Sequence, residues 1–413
     1  MQKNTKSKKI LYIGIGKHSG GPIISLIQLI KNLDTKKYTP IVFSIMNPHE
    51  KTYNKLKNLN IRIVKQDIWI NNWLNSKLNK NIFHLIKAPG RFLRLLYNSI
   101  LIYKIIKKEN IDIVHSNIEL YLEGAIAAWL SDKPHIWHIR APIGSQGAVK
   151  HIFGDKFMFF IINFFSTKII VNSHRTKNSL KKYISEKKIH LIYNGIDIED
   201  FVKNKHIKGK LRNIFGIDNS KKIVASIGYL SEIKGGKEFV EIAKYVCNFR
   251  NDVVFIWIGP SLEQKNDLFT TKIFEYIKKN NLIDKIFFTG ERDDINILLN
   301  DVDIFLQPMI NGSWSRVVLE AMASSLPVIA IETNMQSEII KNEETGFLVK
   351  NVKEASLKIL ELLDNFEKRK LIGENAFKFV KGNFTNQITA KKVMKLYDEV
   401  LDNKEKNEKN SSF

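Results

Sequence analysis

The feature that most constrains the fold is an alternation of short apolar segments with helical patterns, which runs through the chain twice. The first run contains seven segments of strand character: Ile10–Ile15, Pro40–Ile45, Ile61–Val64, Ile111–His115, His135–Ile139, Lys168–Val171 and Ile189–Tyr193. The second run contains six: Ile223–Ile227, Val253–Ile258, Ile286–Phe288, Asp303–Leu306, Val328–Ile331 and Phe347–Val349. Strands that alternate with helices predict parallel sheets covered by helices on both faces.

A polar, lysine-rich stretch separates the two runs. Lys203–Asn213 shows little periodicity and follows the turn signal Asn194-Gly195. A chain of 413 residues is also long for one hydrophobic core. We therefore predict two Rossmann-like, doubly wound α/β domains at residues 1–205 and 206–385. Residues 386–413 would form a C-terminal helix, which packs back on the N-terminal domain, and a polar tail.

Composition narrows the class of protein and its compartment. The single cysteine, Cys247, excludes intramolecular disulfides and thiolate metal clusters, as expected of a cytoplasmic protein. The apolar run Phe157–Ile162 is far shorter than the ~20 residues of a spanning helix, and the N-terminus lacks the pattern of a signal peptide. The net charge of +23 favours an anionic partner, although the Lys-, Ile- and Asn-rich composition also fits an AT-rich genome. Charge alone leaves nucleic acid, an anionic membrane and nucleotides open.

The most informative motif is Gly312–Ser324, which follows the strand Asp303–Leu306. Its loop and the start of a helix near Arg316 would place free backbone N–H groups at the carboxyl end of a strand, where anions bind in open α/β sheets. Glu320 lies one helical turn beyond Arg316 on the same face and could accept hydroxyl hydrogen bonds from a ribose. The alternative is a capped helix in an ordinary buried crossover.

A glycine-bearing loop follows the first strand of each run. One reads Gly14–Pro22 and the other Gly228–Gly236, and neither matches a dinucleotide or Walker motif. Both would let a ligand approach the backbone, and Lys234 could meet a phosphate together with helix N–H groups. The alternatives are a plain tight turn and a solvated lysine.

Two strand-end histidines are candidates for contact with a substrate or for proton transfer. His138 lies in Pro134–Arg140, and His115 ends the strand Asp112–His115. The pattern does not separate them, and a lone histidine is more often structural.

The stretch Asn81–Lys108 mixes apolar with basic residues around Pro89-Gly90 and indicates a basic amphipathic helix. Such a helix can lie on an anionic bilayer. The alternative is a helix that packs on the sheet and leaves its lysines in water.

The chain has one acidic pair with the spacing of metal ligands, Asp301 and Asp303. We interpret this pair as structural, because Asp303 opens an apolar strand, and we predict no metal site.

An ordered set of landmarks resembles the GT-B glycosyltransferases of family 4, a retaining group that uses nucleotide-sugar donors. The landmarks span residues 8–400 and are Ser19–Pro22, Asp112–His115, Ile192–Asp197 with Phe201, Gly228–Gly235, Arg316–Ala323 with Pro327–Ile329, and Thr345–Val349. The resemblance implies two Rossmann-like domains that face each other across a cleft, with the acceptor bound by the N-terminal domain and the nucleotide sugar by the C-terminal domain.

The resemblance also implies the roles of individual residues. Lys234 would clamp the diphosphate and Glu320 would bind the ribose, while Gly20 and Gly21 would approach the phosphate and His138 would match the catalytic-site histidine. The donor-binding set it implies is Gly20, Gly21, Gly228, Tyr229, Lys234, Gly235, Ser315, Arg316, Val317, Val318 and Glu320. Positive groups and helix dipoles would replace a metal, so no metal or other cofactor is expected.

Two positions depart from the family pattern. Gly312 stands where the family has a glutamate that faces the donor sugar, and Tyr229 stands where it has a phosphate-binding arginine. We expect a metal-independent hexosyl- or related glycosyltransferase of bacterial surface polysaccharide synthesis (lipopolysaccharide, capsule or exopolysaccharide), with a glycan or lipid-linked glycan acceptor. It would be cytoplasmic or peripheral on the inner face of the membrane. The alternative is a weak or inactive relative that acts as a scaffold. A nucleic-acid partner is not expected, because no binding module is recognisable.

Overall fold

The structure is a computed structural model with two compact units, one formed by Met1–Asn194 with Asn386–Phe413 and the other by Gly195–Thr385. It describes residues 7–15, 20–44, 50–65, 74–75, 88–143, 150–151, 154–260, 268–309, 314–333 and 335–410. Gly312 and residues 16–19 of the first glycine loop lie outside the described residues.

The first unit is built on a seven-stranded parallel sheet of order β3-β2-β1-β5-β6-β8-β9. Its strands, and the short antiparallel pair β4 and β7, are β1 Lys8–Ile15, β2 Tyr38–Ser44, β3 Arg62–Lys65, β4 Leu74–Asn75, β5 Ile113–Ser116, β6 His135–Ile139, β7 Lys150–His151, β8 Lys168–Val171 and β9 Ile189–Leu191. The central strands are rich in Ile and Val and are buried on both faces, as a doubly covered parallel sheet requires.

Helices cover both faces of this sheet. They are α1 Gly21–Lys31, α2 Glu50–Asn58, α3 Ala88–Glu109, α4 Leu122–Leu130, α5 Asp155–Phe165, α6 His174–Leu180 and, from the end of the chain, α15 Asn386–Asn410. Side chains of α1 and α15 pack against Ile10 and Tyr12 on one face. Side chains of α3 and α4 pack against Leu11 and Ile13 on the other face, and α5 extends that layer over Trp137.

The second unit repeats the plan with a six-stranded parallel sheet of order β12-β11-β10-β13-β14-β15. The strands are β10 Lys222–Ile227, β11 Val253–Ile258, β12 Ile286–Phe288, β13 Ile304–Gln307, β14 Val328–Ile331 and β15 Phe347–Val349. The helices are α7 Ile198–Lys203, α8 Lys210–Phe215, α9 Gly236–Cys247, α10 Leu268–Lys279, α11 Ile295–Leu298, α12 Arg316–Ala323, α13 Val352–Asp364 and α14 Phe366–Asn383. The predicted fold class, two Rossmann-like α/β domains, is confirmed, and every predicted strand is present within two residues of its predicted bounds.

The boundary between the units differs from the predicted one at 205/206. The chain changes unit between Asn194 and Gly195, because Ile198 and Phe201 of α7 are buried within the second unit. Residues 386–413 belong to the first unit, and α15 continues to Asn410, so most of the predicted polar tail is helical.

Candidate active site

The second unit has a topological switch point between β10 and β13. These neighbouring parallel strands lie where the order of the sheet reverses, with β11 and β12 on one side and β14 and β15 on the other. The carboxyl end of β10 leads into the loop Gly228–Gly235, and that of β13 leads towards α12. Ligands of open α/β sheets bind at such a point, so the two segments singled out in the sequence meet where the fold predicts a site.

Gly235 brings the loop Gly228–Gly235 into contact with the segment that follows β13. Its φ is +80°, and a Cβ there would lie 2.2 Å from the carbonyl oxygen of Pro308. Only glycine fits both the left-handed conformation and the close approach of the Pro308 backbone. The conformation of Gly228, with φ at +154°, likewise favours glycine, and its carbonyl accepts a hydrogen bond from Trp257 Nε1 at 2.8 Å. Packing within the protein therefore explains Gly235 without a ligand.

Lys234 carries a half-buried positive charge at the end of this loop. Burial lowers the pKa of its ammonium group. Its Nζ lies 3.8 Å from Met309 Sδ, and no carboxylate pairs with it among the residues that the structure describes. A cation that is partly removed from water and lacks a protein counter-ion is suited to bind an anion.

The first turn of α12 lies beside the carboxyl end of β13. The side chain of its N-cap, Ser315, makes no hydrogen bond to the helix. Ser315 therefore leaves the N–H groups of the first turn, Arg316 to Val318, uncapped. Glu320 Oε1 accepts a hydrogen bond from Arg316 Nε at 2.8 Å, and Arg316 Nη1 is buried with no partner in the described part of the chain. Within the described residues Glu320 Oε2 has no donor, so this carboxylate can still accept a hydroxyl group. Val317 is half-buried in the first turn of α12, and Tyr229 is 38% exposed on the loop after β10.

Sequence reasoning missed two polar residues in the loop after β14. Gln336 is 1% exposed, and neither atom of its amide has a hydrogen-bond partner within the described residues. The hydroxyl of Thr333 is also buried without a partner. Buried polar groups are rarely left unpaired, so this loop is suited to bind a polar ligand next to β13. A single glutamine after a strand gives no signal in the sequence, because its burial depends on the fold.

The first unit has its own switch point, between β1 and β5. Gly20 and Gly21 lie at the start of α1, just after the loop that follows β1. Gly20 has an extended backbone, and a Cβ on Gly21 would contact nothing within 4 Å. Neither glycine is required by the local backbone, and both leave the helix N-terminus open.

His138 and His115, which the sequence could not separate, lie side by side in one hydrogen-bonded chain. Arg140 Nη2 lies 3.4 Å from His138 Nδ1, and His115 Nε2 lies 3.3 Å from the same atom. Tyr397 OH lies 2.6 Å from His115 Nδ1 and 3.0 Å from the hydroxyl of Tyr12. A guanidinium can only donate, so His138 Nδ1 is an acceptor and the ring proton lies on Nε2.

The same geometry sets the charge of His138. Burial and the nearby Arg140 hold its pKa well below the ordinary value, so the ring is neutral at pH 7. His138 Nε2 is buried and has no hydrogen-bond partner among the described residues. His138 therefore offers a neutral N–H donor to a ligand, and His115 fixes its orientation.

Arg140, at the carboxyl end of β6, is a further residue that sequence reasoning did not assign. It is 6% exposed, and burial lowers its pKa to about 9. Its guanidinium donates to Asn117 Oδ1 at 2.6 Å and to Asn194 Oδ1 at 2.7 Å, both neutral, and no carboxylate pairs with it in the described parts of the chain. Its burial next to the switch point could not be read from the sequence.

The acidic pair Asp301 and Asp303, which we interpret as structural, accepts hydrogen bonds from backbone N–H groups. Asp301 accepts hydrogen bonds from the backbone N–H groups of Gly209 and Leu211 at the start of α8. Asp303 accepts from the N–H group of Ile223 at 2.9 Å. Over the described residues, no group of three or more His, Cys, Asp or Glu side chains lies together as a metal site.

Two Rossmann-like units, each with polar groups at its switch point, form the GT-B fold, and solved structures show the same fold. A glycosyltransferase from Rickettsia africae is 23% identical, with a TM-score of 0.79 over 96% of this chain and 99% of that one. The Anabaena protein HepE, solved in complex with UDP and glucose, is 18% identical, with a TM-score of 0.74 over 95% of this chain and 99% of that one.

Sequence comparison gives the family. The family "Glycosyltransferase Family 4" matches residues 19–200 and "Glycosyl transferases group 1" matches residues 207–379. The chain belongs to these glycosyltransferases and acts in the synthesis of polysaccharides or glycoconjugates.

Relatives with curated descriptions are similar over most of the chain. An uncharacterized glycosyltransferase of Methanocaldococcus jannaschii is 28% identical over 91% of this chain and 99% of its own length. A UDP-Gal:alpha-D-GlcNAc-diphosphoundecaprenol alpha-1,3-galactosyltransferase of Escherichia coli is 30% identical over 60% of this chain and 65% of its own length. None of the helices that the structure describes is long and apolar enough to cross a membrane.

Proposed function

We propose that the protein transfers a hexose or related sugar from a nucleotide-diphosphate sugar to a glycan or lipid-linked glycan, with retention of configuration, in bacterial surface polysaccharide synthesis. The observation that carries the proposal is Lys234, a half-buried cation without a carboxylate partner among the described residues, at the switch point beside the first turn of α12. A diphosphate supplies the missing negative charge.

Relatives support the lipid-linked acceptor. The Escherichia coli relative is named for a diphosphoundecaprenol-linked acceptor. A Campylobacter jejuni relative, 26% identical over 95% of this chain and 99% of its own length, is named N,N'-diacetylbacillosaminyl-diphospho-undecaprenol alpha-1,3-N-acetylgalactosaminyltransferase. Synthesis on such carriers would place the protein in the cytoplasm, at the inner face of the membrane.

Different residues of the second unit bind the diphosphate and the ribose of the donor. Lys234 and the N–H groups of Ser315 to Val318 bind the diphosphate, and the free oxygen of Glu320 accepts hydrogen bonds from the ribose hydroxyls. Tyr229 takes the position of a second cation, so the charge on the diphosphate is neutralised mainly by Lys234 and the helix N-terminus.

The first unit offers a hydrogen-bond donor for a sugar. His138 donates its Nε2–H to a sugar hydroxyl, and its neutral state avoids repulsion with Arg140. Gly20 and Gly21 leave the start of α1 open to the phosphate.

In the reaction, the bond between the anomeric carbon and the β-phosphate oxygen breaks, and the acceptor hydroxyl oxygen bonds to that carbon. Retention in one step places the hydroxyl on the face that the phosphate leaves, so the hydroxyl proton passes to the departing phosphate oxygen. Lys234 and the N–H groups of α12 stabilise the charge that develops on the leaving diphosphate. No resident metal or other cofactor is required by this proposal.

A panel of UDP-, GDP- and ADP-sugars tests the proposal. A donor at 100 times its Kd adds about 2.7 kcal/mol to the stability of the folded state, which a thermal shift detects. Hydrolysis or transfer by the same donor should continue in EDTA, and NMR of the product should show the anomeric configuration of the donor. If no nucleotide binds and no donor is consumed, the proposal fails in favour of the scaffold alternative.

A further inference from the structure

We propose that Tyr397, on the C-terminal helix α15, is a positioning residue of the candidate active site and acts on His138 through His115. This role rests on the proposed function, because it concerns how His138 comes to offer its Nε2–H group to a sugar. It goes beyond that function because it makes the last helix of the chain part of the machinery that prepares the site.

The positions of the protons follow from one guanidinium. Arg140 Nη2 lies 3.4 Å from His138 Nδ1 and can only donate, so this nitrogen is an acceptor. His115 Nε2, 3.3 Å from the same nitrogen, therefore carries the proton of its ring. Its Nδ1 is then an acceptor, and the hydroxyl of Tyr397 donates to it at 2.6 Å. The oxygen of Tyr397 in turn accepts from the hydroxyl of Tyr12 at 3.0 Å.

These four rings form a donor series that runs from Tyr12 through Tyr397 and His115 to His138. All four are 0–1% exposed. Burial holds the pKa of His115 well below its ordinary value and raises the pKa of Tyr12 and of Tyr397 above theirs, so the rings are neutral at pH 7. Every hydrogen bond in the series points towards His138. Each bond polarises the next one, which makes the Nε2–H of His138 a stronger donor.

The donor series is open at its end. His138 Nε2 is buried and has no hydrogen-bond partner in the part of the chain that the structure describes. A buried network that served stability alone would be satisfied at both ends, because an unpaired buried donor costs free energy. A series of buried hydroxyl and imidazole groups that ends in an unpaired N–H is instead arranged to meet a ligand there.

Helix α15 is tied to the sheet beside Tyr397. Asp398, the next residue, accepts a hydrogen bond from Lys37 Nζ at 2.7 Å and another from the hydroxyl of Tyr38. The ring of Tyr38 packs edge-on against that of Tyr397, with 5.5 Å between the ring centroids. Tyr38 therefore contacts the same helix as the donor series does, but its hydroxyl is bound to Asp398 and to the carbonyl of Met394 and lies outside the series.

NMR of the protein with isotopically labelled histidine tests the proton positions in the absence of any ligand. For His115 and for His138 we expect the Nδ1 resonance of an unprotonated nitrogen and the Nε2 resonance of a protonated one. His115→Gln and His138→Gln assign these resonances. Tyr397→Phe should shift His115 Nδ1 towards the resonance of a nitrogen without a hydrogen bond, and it should also shift the proton on His138 Nε2. A proton on Nδ1 of either ring would overturn the proposal.

Turnover of the donor that the wild type uses measures the effect on the site. Tyr397→Phe should lower kcat/KM by about five- to tenfold, because the N–H group of His138 loses its polarisation. The Kd of the free nucleoside diphosphate should stay within about twofold of the wild type, because the donor series lies entirely in the first unit. Tyr12→Phe acts one bond further from His138 and should lower kcat/KM by only about twofold.

Tyr38→Phe is the matched control. It removes a buried tyrosine hydroxyl from the same helix contact, so it should lower the melting temperature as Tyr397→Phe does, but it should leave kcat/KM unchanged. Equal kcat/KM in Tyr397→Phe and the wild type, or an equal loss in Tyr38→Phe, would refute the positioning role. If circular dichroism shows that Tyr397→Phe does not fold, the proton positions in the wild type and the kinetics of Tyr12→Phe decide the question.

Failure of this role is distinguishable from failure of the proposed function, because the NMR measurement needs no substrate. A protein with the expected proton positions, in which Tyr397→Phe shifts the proton of His138 but which consumes no donor, would refute the transferase function and support the action of Tyr397 on His138. A protein that consumes a donor equally well with tyrosine or phenylalanine at position 397 would support the transferase function and refute the role of Tyr397.

Discussion

Replacement of Lys234 by methionine should have opposite effects on folding and on donor binding. Burial lowers the pKa of the ammonium group, which means that the folded state binds its proton less tightly than the unfolded chain does. The charge therefore opposes folding at every pH below the lowered pKa. Lys234→Met keeps the length of the side chain and removes the charge, so the free protein should be at least as stable as the wild type.

Donor binding should weaken in the same variant. The mutation deletes a charge-assisted contact to the diphosphate, which corresponds to about 1.5–3 kcal/mol. That loss raises the Kd by roughly 10- to 150-fold. Urea unfolding measures the stability of the free protein. Calorimetric titration with the nucleoside diphosphate that best stabilises the wild type measures the Kd.

Lys237→Met is the matched control. Lys237 lies on the first turn of α9, where its exposed ammonium group is 3.7 Å from Glu241. Its replacement should change neither stability nor affinity appreciably, because exposed pairs contribute little. The reasoning is refuted if Lys234→Met unfolds at a lower urea concentration than the wild type, or if it binds the nucleotide equally well.

Four further changes test the site in other ways. Glu320→Gln should weaken nucleotide binding in calorimetry and leave the free energy of unfolding, measured in urea, within about 0.5 kcal/mol of the wild type, because it loses only a helical ion pair; unaltered binding would exclude the ribose role. Gly235→Ala should cost about 2 kcal/mol or more in urea unfolding, from the left-handed backbone and the contact with the Pro308 carbonyl, and a smaller loss would contradict this geometry. Gln336→Met should stabilise the free protein by about 1–3 kcal/mol while it weakens donor binding, and binding at the wild-type level would mean that the amide meets no ligand. For each histidine that is buried in its neutral form, the free energy of unfolding should fall by about 1.4 kcal/mol per pH unit below about pH 6.5, because only the unfolded chain takes up the proton in that range. His138→Gln should therefore make this pH dependence measurably less steep.

The strands and the family were accessible from the sequence because both depend on local pattern. Apolar runs such as Val253–Ile258 have the length and β-branched composition of buried strands, and turn residues bound them. The predicted boundary between the units lies too late in the chain, because the true boundary depends on tertiary contacts rather than on local pattern. Lys203–Asn213 looks like a linker, but the preceding residues Ile198 and Phe201 find their apolar partners in the second unit. Partner choice is a tertiary property, and polarity along the chain does not report it.

The candidate site was accessible only in part. Lys234 and Glu320 lie next to glycine and helix-start signals, so their positions at strand ends could be predicted. The tautomer of His138 could not, because it depends on the distance to Arg140. Gln336 likewise became a candidate only when its burial and its unpartnered amide were known.

Each unit places a cation at the carboxyl edge of its sheet without a carboxylate partner among the described residues. In the first unit this is Arg140, held by two asparagines, and in the second it is Lys234, held beside Met309. In both, the pKa is lowered by burial, so each charge makes the free protein less stable than a neutral side chain of the same shape would. A carboxylate partner would remove that cost, but it would also repel a phosphate. An anionic ligand bound at either residue would therefore supply the negative charge that the free protein lacks there, as the binding of a charged leaving group requires.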